Sequence, residues 1–463
     1  MKKRKKIHFE VSERKVLLRI LDVFFILISL YCVGNLFDFD YLKSSVNTVY
    51  YSLCIGLYIN GIGTVFELYN LQVASHQFQV VKSVILTVST TVLFYLLTPL
   101  YSAELPSQRL QILVFFIAIM IPLLFWRIFY VKFLASNRFV QNVILVCDFE
   151  HVEELVTGLE KADPHYRIIG FVNSESDPNE TRNHFIPSIK LYDLVPFVNQ
   201  NPIFEIIVAS QKKEEISVEL YQQLLHLLES GNTIREYAQV YESKTQRIPI
   251  QYITRDFYKF FPFSRSNTNQ LYLFAIKSLE IVISVLGLFV GLFFIPFLFI
   301  GNLIGNKGTL FYKQDRVGLN GKPFEIYKFR TMVLNAETNG AVFSTLNDTR
   351  VTPFGKFLRK TRIDEIPQFI NILKGDMAVI GPRPERPIFV KEIAEMMPFY
   401  ETRHVIKPGL TGWAQVNYSY GESFEDSLIK LQYDLYYIKH RSVFLDLNII
   451  IKTISTVLFY RGQ

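Results

Sequence analysis

The sequence predicts a membrane protein in three parts: a four-helix transmembrane bundle, a Rossmann-like α/β domain, and an α+β domain entered through a re-entrant membrane helix. Three observations predict it. Half of the 463 residues are hydrophobic, with 41 Phe and 26 Tyr, and that excess gathers in the first 135 residues and again near 280–304. Between those stretches, buried-strand patterns alternate with amphipathic helices, the texture of a parallel sheet. Beyond residue 310 the chain turns polar and is punctuated by Gly, Pro and Arg. The expected boundaries are 1–138 for the bundle, 139–244 for the α/β domain, 245–269 for a linker, and 270–463 for the last domain.

Four apolar segments open the chain, at residues 16–37, 46–68, 80–100 and 110–130, each near the ~20 residues that a spanning helix needs. Lys2, Lys3, Arg4, Lys5 and Lys6 precede the first of them, and RIFYVKFLASNR follows the last. The first and third connections, FDFDYLKSS and TPLYSAELPSQR, are acid-tinged, so both ends of the bundle are expected on the cytosolic side. The basic arm contributes to a net charge of +7, but beside a membrane span it orients helices rather than binding nucleic acid. No small-residue cleavage site closes the first apolar run, so its removal is not expected. Cys32, Cys54 and Cys147 form no disulfide framework or zinc spacing, and the eight His are scattered.

In the middle region NVILVCD, YRIIGFVN and FEIIVAS read as strands, HVEELVTGLEK and SVELYQQLLHLLESG as helices, and REYAQVY as the next strand. A dinucleotide site requires Gly-x-Gly-x-x-Gly after the first strand, where backbone must approach a pyrophosphate. The turn here is Cys147-Asp148-Phe149-Glu150-His151, with no glycine and two carboxylates that would repel phosphate. A structural, regulatory or dimerising module is expected instead.

The apolar run LEIVISVLGLFVGLFFIPFLFIGNLIG is long enough for a fifth span, yet a fifth crossing would carry everything beyond it to the outer face. Lys277 before the run and Lys307, Lys313 and Arg316 after it fit a return to the same side. Pro296 deletes one helical hydrogen bond and is the expected kink of a helix that dips in and turns back. Downstream, YKQDRVGLNGKPFEIYKFRTM reads as a hairpin turning at Asn320-Gly321, and VFLDLNIIIKTISTVLFY as a final helix with core-facing Ile residues.

The chemistry is expected in RKTRIDEIPQFINILKGDMAVIGPRP. Asp364 and Glu365 lie at a predicted helix start, with Ile366, Phe369, Ile370 and Leu373 as one face and Lys374-Gly375 as its end. Adjacent acids there are most often solvated charge matched to a helix dipole. The surroundings point elsewhere: Arg359 and Arg362 precede the pair, and Gly381-Pro382-Arg383-Pro384 follows. Carboxylate nucleophiles form acyl-phosphate or glycosyl intermediates, and Arg donates in pairs to phosphate. A divalent cation held by acids would neutralise a pyrophosphate, and oxygen ligands beside phosphate favour Mg2+.

From about Leu279 onward the chain resembles the bacterial sugar transferase family, the monotopic phosphoglycosyl transferases or polyprenyl-phosphate hexose-1-phosphate transferases. The resemblance rests on the Pro296 helix, YKQDRVG, FEIYKFRTM, RVTPFGKFLRKTRIDEIPQ, NILKGDMAVIGPRP, KPGLTGWAQVN and YDLYYIKHRSVFLDL, in that order. The four spans and the α/β domain match its long form in layout. The resemblance implies a monotopic catalytic domain on the cytosolic face of the bacterial inner (cytoplasmic) membrane, anchored in the lipid bilayer. It would move a sugar 1-phosphate from a UDP-sugar to undecaprenyl phosphate, releasing UMP and starting an exopolysaccharide, capsule or O-antigen repeat. Asp364 corresponds to the nucleophile that forms a covalent phospho-sugar, Glu365 to its Mg2+-linked neighbour, and Arg359 and Arg383 to phosphate ligands. Lys328, Arg330 and Arg362 would add positive charge beside the substrate, with Asp364 and Glu365 as the Mg2+ ligands. The long form also points to a homodimer. Two departures stand out: Ile295-Pro296 replaces a Ser-Pro pair, and Gln415-Val416-Asn417 runs into Tyr418-Ser419-Tyr420-Gly421 where many members have Gly-Arg. The rival expectation is a membrane-bound regulator or scaffold of polysaccharide assembly; a lipid pyrophosphatase is a third.

Overall fold

A computed structural model describes residues 11–37, 48–69, 77–98, 101–102, 109–134, 140–148, 151–163, 166–173, 186–209, 217–250, 264–306, 308–334, 336, 348–397, 399–418 and 424–458. The basic arm Lys2 to Lys6, Phe149 and Glu150 of the first turn, residues 251–263 of the linker, and Ser419, Tyr420 and Gly421 lie outside the described residues. The chain divides into two compact units, Met1–Val240 and Tyr241–Gln463.

The first unit opens with helices α1 (Val11–Phe37), α2 (Thr48–Val65), α3 (Gln77–Leu97) and α4 (Arg109–Phe129). Outward positions on α1 recur every fourth residue, with Val16, Ile20, Phe24 and Ile28 all exposed, while Leu18, Ile26 and Leu30 are buried. An apolar outer face over an apolar seam suits lipid as solvent. Among the described residues, α1, α3, α4 and the later helix at 270–306 are long and apolar enough to cross a membrane. Residues 49–65 of α2 form a shorter apolar helix, about 26 Å long against a hydrocarbon core of about 30 Å. Inside the bundle, Asp22 on α1 accepts two hydrogen bonds from Arg127 on α4, and both side chains are fully buried.

Strands β1 (Gln141–Cys147), β2 (Tyr166–Asn173), β3 (Glu205–Val208) and β4 (Ile234–Glu236) form an all-parallel sheet in the order β2-β1-β3-β4. Helices α5 (Val152–Ala162), α6 (Leu194–Gln200) and α7 (Val218–Glu229) connect them. Five consecutive residues of β1, Val143 to Cys147, are buried, as a strand covered on both faces requires. Glu205, buried at the start of β3, accepts from Tyr166 and from both arms of Arg235, which compensates its desolvation. The strand expected at REYAQVY is shorter than its pattern: β4 ends at Glu236 and helix α8 (Tyr237–Thr245) follows. Buried Tyr237, Ala238, Val240 and Tyr241 recur at helical rather than alternating spacing.

The second unit is built on α9 (Gln270–Gly301), whose N-cap Asn269 accepts from the backbone of Leu271 and Tyr272. The helix runs unbroken through Pro296 and widens to a π turn over Asn302–Asn306. Strands β5 (Phe311–Val317) and β6 (Pro323–Phe329) make the expected antiparallel hairpin, with Asn320 and Gly321 both at positive φ. Then come α10 (Pro353–Thr361), α11 (Gln368–Lys374), β7 (Ala378–Ile380), α12 (Pro387–Met396), β8 (Gly409–Thr411), α13 (Trp413–Asn417), α14 (Phe424–His440) and α15 (Val443–Leu458). Their core gathers Ile326, Met377, Phe389, Trp413, Leu435 and Ile449, so the central Ile449 of the last helix is core. Val443, Phe444 and Leu447 on the same helix stay exposed.

Candidate active site

Helix α10 begins at an N-cap, Thr352, whose hydroxyl accepts from Gly355 N at 2.9 Å, with Pro353 pre-set for the first turn. Gly355 lies against β6's end: a Cβ there would meet Thr331 O at 1.9 Å, so only glycine allows this approach. The contact lets Arg359 Nε donate to Thr331 Oγ1 at 3.0 Å.

The helix ends at Arg362, a non-glycine residue held at φ 58. Asp364 and Glu365 follow in a 3-10 turn, Ile363–Glu365, and α11 starts only at Gln368. The pair therefore does not open a helix as expected from the sequence. Left-handed Arg362 resets the chain direction, and Pro367, with no N–H, stands as N-cap of α11. The helix does end as expected, at Gly375 with φ 91. The apolar stripe is split: Ile366 and Phe369 face α9, whereas Ile370 and Leu373 are exposed. That packing needs glycines, because a Cβ at Gly287 would lie 2.4 Å from the Phe369 ring and one at Gly291 2.6 Å from Ile366.

Asn371, fully buried on α11, ties this segment to β6 by donating to Glu325 O at 2.6 Å and accepting from Tyr327 N at 3.0 Å. Lys328, next on β6, is thereby brought to the acidic pair. Glu365 Oε1 lies 3.2 Å from Lys328 Nζ, 3.3 Å from Arg383 Nη2 and 3.5 Å from Arg362 Nη1. Asp364 is 6% exposed and its Oδ1 is buried with no hydrogen-bond partner.

These unequal surroundings separate two chemically similar acids. Burial, then the negative charge of Glu365, pushes Asp364 up to about 6. Burial also opposes ionisation of Glu365, but Lys328, Arg383 and Arg362 outweigh it and hold that carboxyl well below the usual range.

Asp364 and Glu365 open into a cavity of about 1120 Å³, and Lys328, Arg330, Arg359, Arg362 and Arg383 all line it. The structure thus brings together seven residues that the sequence singled out as site candidates. Pro296 is apart from them, inside α9. Arg330 donates through Nη2 to Thr309 Oγ1 and also lines the cavity. Sequence reasoning missed further cavity-lining charges, among them Arg316, Lys430, Arg403 and Asp434. Arg316 and Asp434 sit in YKQDRVG and YDLYYIKHRS, segments that carried the resemblance without an assigned role.

Among the described residues, no group of three or more His, Cys, Asp or Glu could hold a metal ion by itself. A cation here would depend on the two adjacent acids and on phosphate oxygens.

The bacterial sugar transferase model matches residues 271–460. A sugar transferase of Bacillus subtilis strain 168, EpsL, is 41% identical over 157 residues, covering 33% of this chain and 72% of that protein. The chain belongs to the bacterial sugar transferase family. The bacterial sugar transferase domain accordingly holds the whole cavity just described, since every residue named in it falls between 271 and 460. The chain is also similar to the UDP-N-acetylgalactosamine-undecaprenyl-phosphate N-acetylgalactosaminephosphotransferase of Aeromonas hydrophila, 37% identical over 257 residues. That match covers 55% of this chain and 59% of the relative. The UDP-glucose:undecaprenyl-phosphate glucose-1-phosphate transferase of Escherichia coli K12 is 40% identical over 155 residues, 33% of each chain. The chain thus spans about three fifths of the Aeromonas relative and a third of the Escherichia one.

Proposed function

We propose that this chain is a polyprenyl-phosphate sugar-1-phosphate transferase, moving a sugar 1-phosphate from a UDP-sugar to undecaprenyl phosphate with release of UMP. The observation that carries the reading is one buried carboxylate oxygen, Asp364 Oδ1, left without a partner beside a Glu365 that is neutralised by three cations. An unpartnered buried acceptor costs free energy, and at the mouth of an Arg-lined cavity that cost has a use.

In the first step Asp364 Oδ1 attacks the phosphorus next to the sugar. The new O–P bond forms as the bond to the bridging oxygen breaks, and UMP leaves with that electron pair. In the second step a phosphate oxygen of undecaprenyl phosphate attacks the same phosphorus and the Asp364 carboxylate is restored. One phosphoanhydride is exchanged for another, so the protein's task is positioning and charge neutralisation. Arg359, Arg383, Lys328, Arg330 and Arg362 are suited to the phosphate oxygens. Were Mg2+ bound, Asp364 and Glu365 would be the residues to hold it, and it would add positive charge at the pyrophosphate.

The reading extends to the membrane. One side of α9 packs on its own domain through Glu280 against Val379, Gly287 against Phe369, Gly291 against Ile366 and Gly301 against Phe354. That is about 32 Å of helix. If α9 spanned the bilayer, Ile366 on Gly291 and Phe369 on Gly287 would bring the adjacent Asp364 and Glu365 to hydrocarbon depth, which is costly. Its other side exposes Phe289, Leu292, Phe293 and Phe299. An α9 seated in the near leaflet by that exposed side, without crossing, satisfies both faces and would leave the cavity on the cytosolic side of the inner membrane, although the helix shows no break at Pro296 for the return expected from the sequence. The parallel sheet of the first unit suits a Rossmann-like module, for which no ligand is proposed.

The test uses the purified full chain with Mg2+, undecaprenyl phosphate and a panel of UDP-sugars. UMP and a sugar-bearing lipid are expected together, and Asp364→Asn is expected to stop both. Release of free sugar phosphate without the lipid product would point to a pyrophosphatase, and no turnover with any UDP-sugar would point to a scaffold.

A further inference from the structure

The loop carrying Arg383 is held carbonyl by carbonyl. Gly409 N donates to Pro382 O at 2.8 Å, Arg403 Nη2 to Arg383 O at 3.0 Å, Arg316 Nη1 to Pro384 O at 3.1 Å, and Val317 N to Glu385 O at 2.9 Å. Gly381 N closes the other end on Thr411 O at 2.9 Å. Pro382 and Pro384 have fixed φ and no N–H of their own. Four consecutive carbonyls are thus satisfied from β5, β8 and the turn before β8, and two of the four donors are side chains rather than backbone.

Those two arginines are themselves anchored. Arg403, 5% exposed, also donates through Nη2 to Asp434 Oδ2 at 2.7 Å and through Nη1 to the Tyr400 hydroxyl at 2.7 Å. Arg316 donates through Nη2 to Gln314 Oε1 at 2.7 Å and lies 3.6 Å from Glu385. A buried ion pair such as Arg403–Asp434 is weak grounds for stability by itself, because desolvation offsets most of the attraction. What distinguishes this one is that its guanidinium also takes the main-chain oxygen of the very residue whose side chain reaches Glu365.

We infer that Arg403 and Arg316 are positioning residues that fix the 381–385 loop and so aim Arg383 at the acidic pair, with Asp434 holding Arg403 in place. The inference rests on the transferase reading only for its consequence in catalysis. Neither arginine needs to touch substrate. Each guanidinium bridges separate acceptors with planar, divergent donors, which an ammonium cannot reproduce at one location.

Two measurements on the full-length chain in nanodiscs test it. The first is a double-mutant cycle in kcat/KM for UDP-sugar. Arg403→Lys is expected to lower it about ten- to a hundredfold when Arg383 is present, the scale of a small misplacement. In the Arg383→Ala background the same change should cost less than about twofold, because its route of action is already gone. Equal losses in both backgrounds would overturn the inference and make Arg403 an independent contributor. The second is hydrogen exchange of the peptide covering 381–386, which reads the loop whether or not any UDP-sugar is turned over. Arg403→Lys and, separately, Arg316→Lys should each speed its exchange about tenfold while α14 and β6 keep their protection. Unchanged exchange at 381–386 in the folded variants would refute the positioning role even if the enzyme reading stands. Inactive wild type with the loop loosened as expected would refute the enzyme reading alone.

Discussion

Two buried carboxylates, one in each unit, are treated in opposite ways. Asp22 in the helical bundle has both oxygens matched by Arg127, whose guanidinium also lies over the Tyr69 ring at 5.2 Å, and neither charged side chain is exposed. Asp364 is nearly as buried, yet its Oδ1 has no partner and the cations around it converge on Glu365. A closed pair serves to join helices in an apolar medium. An open one retains reactivity. If Asp364 is the nucleophile proposed above, burial alone does not mark the reactive acid; the missing partner does.

The largest effect is expected at Asp364. Asp364→Asn preserves shape and removes the proposed nucleophile, so turnover should fall at least about a thousandfold with little change in melting temperature. At Asp22 the pattern should invert. Asp22→Ala leaves Arg127 buried without its counter-charge and should destabilise the fold by about 3–5 kcal/mol, measured by unfolding in detergent. Replacing both members, with Asp22→Leu and Arg127→Leu, should recover most of that loss; no recovery would mean the pair does more than join helices.

A smaller effect is expected at Glu365. Wild-type kcat/KM should fall with acid below about pH 6, because protonation of Asp364 would remove the carboxylate proposed to attack. Glu365→Gln deletes a negative neighbour and leaves Lys328, Arg362 and Arg383 without their carboxylate, and both changes favour ionised Asp364. The acid limb should move to lower pH while the plateau drops about ten- to a hundredfold from loosened cations. A limb that stays in place would detach it from Asp364.

The smallest effects concern helix packing. Gly287→Ala would set a Cβ 2.4 Å from the Phe369 ring and should cost about 1–3 kcal/mol in thermal stability. Gly61 in α2 meets nothing within 4 Å, so Gly61→Ala should be neutral or stabilising by up to about 1 kcal/mol.

What was legible in the sequence was local. Hydropathy marked the long apolar helices, the Asn320-Gly321 pair fixed the hairpin, and a dense run of Arg, Asp and Glu marked the cavity's chemistry. The misreadings came from tertiary context. REYAQVY looked like a strand until the buried face of α8 claimed its apolar residues. The acidic pair looked like a helix start because nothing local shows that Arg362 takes a left-handed conformation. Arg316, read only as a flanking charge, and Arg403 and Asp434 were missed as cavity residues because their partners lie up to 68 residues away. No spacing rule reports that distance.

The most direct test of the open carboxylate is its capture. The intact mass of the full chain is measured after incubation with a UDP-sugar that supports UMP release, Mg2+ present and undecaprenyl phosphate omitted. The account predicts a gain of one sugar phosphate, mapping to the peptide that holds Asp364, lost in Asp364→Asn and discharged when undecaprenyl phosphate is added. Lipid product formed at full rate with no adduct, or with the adduct on another residue, would contradict it.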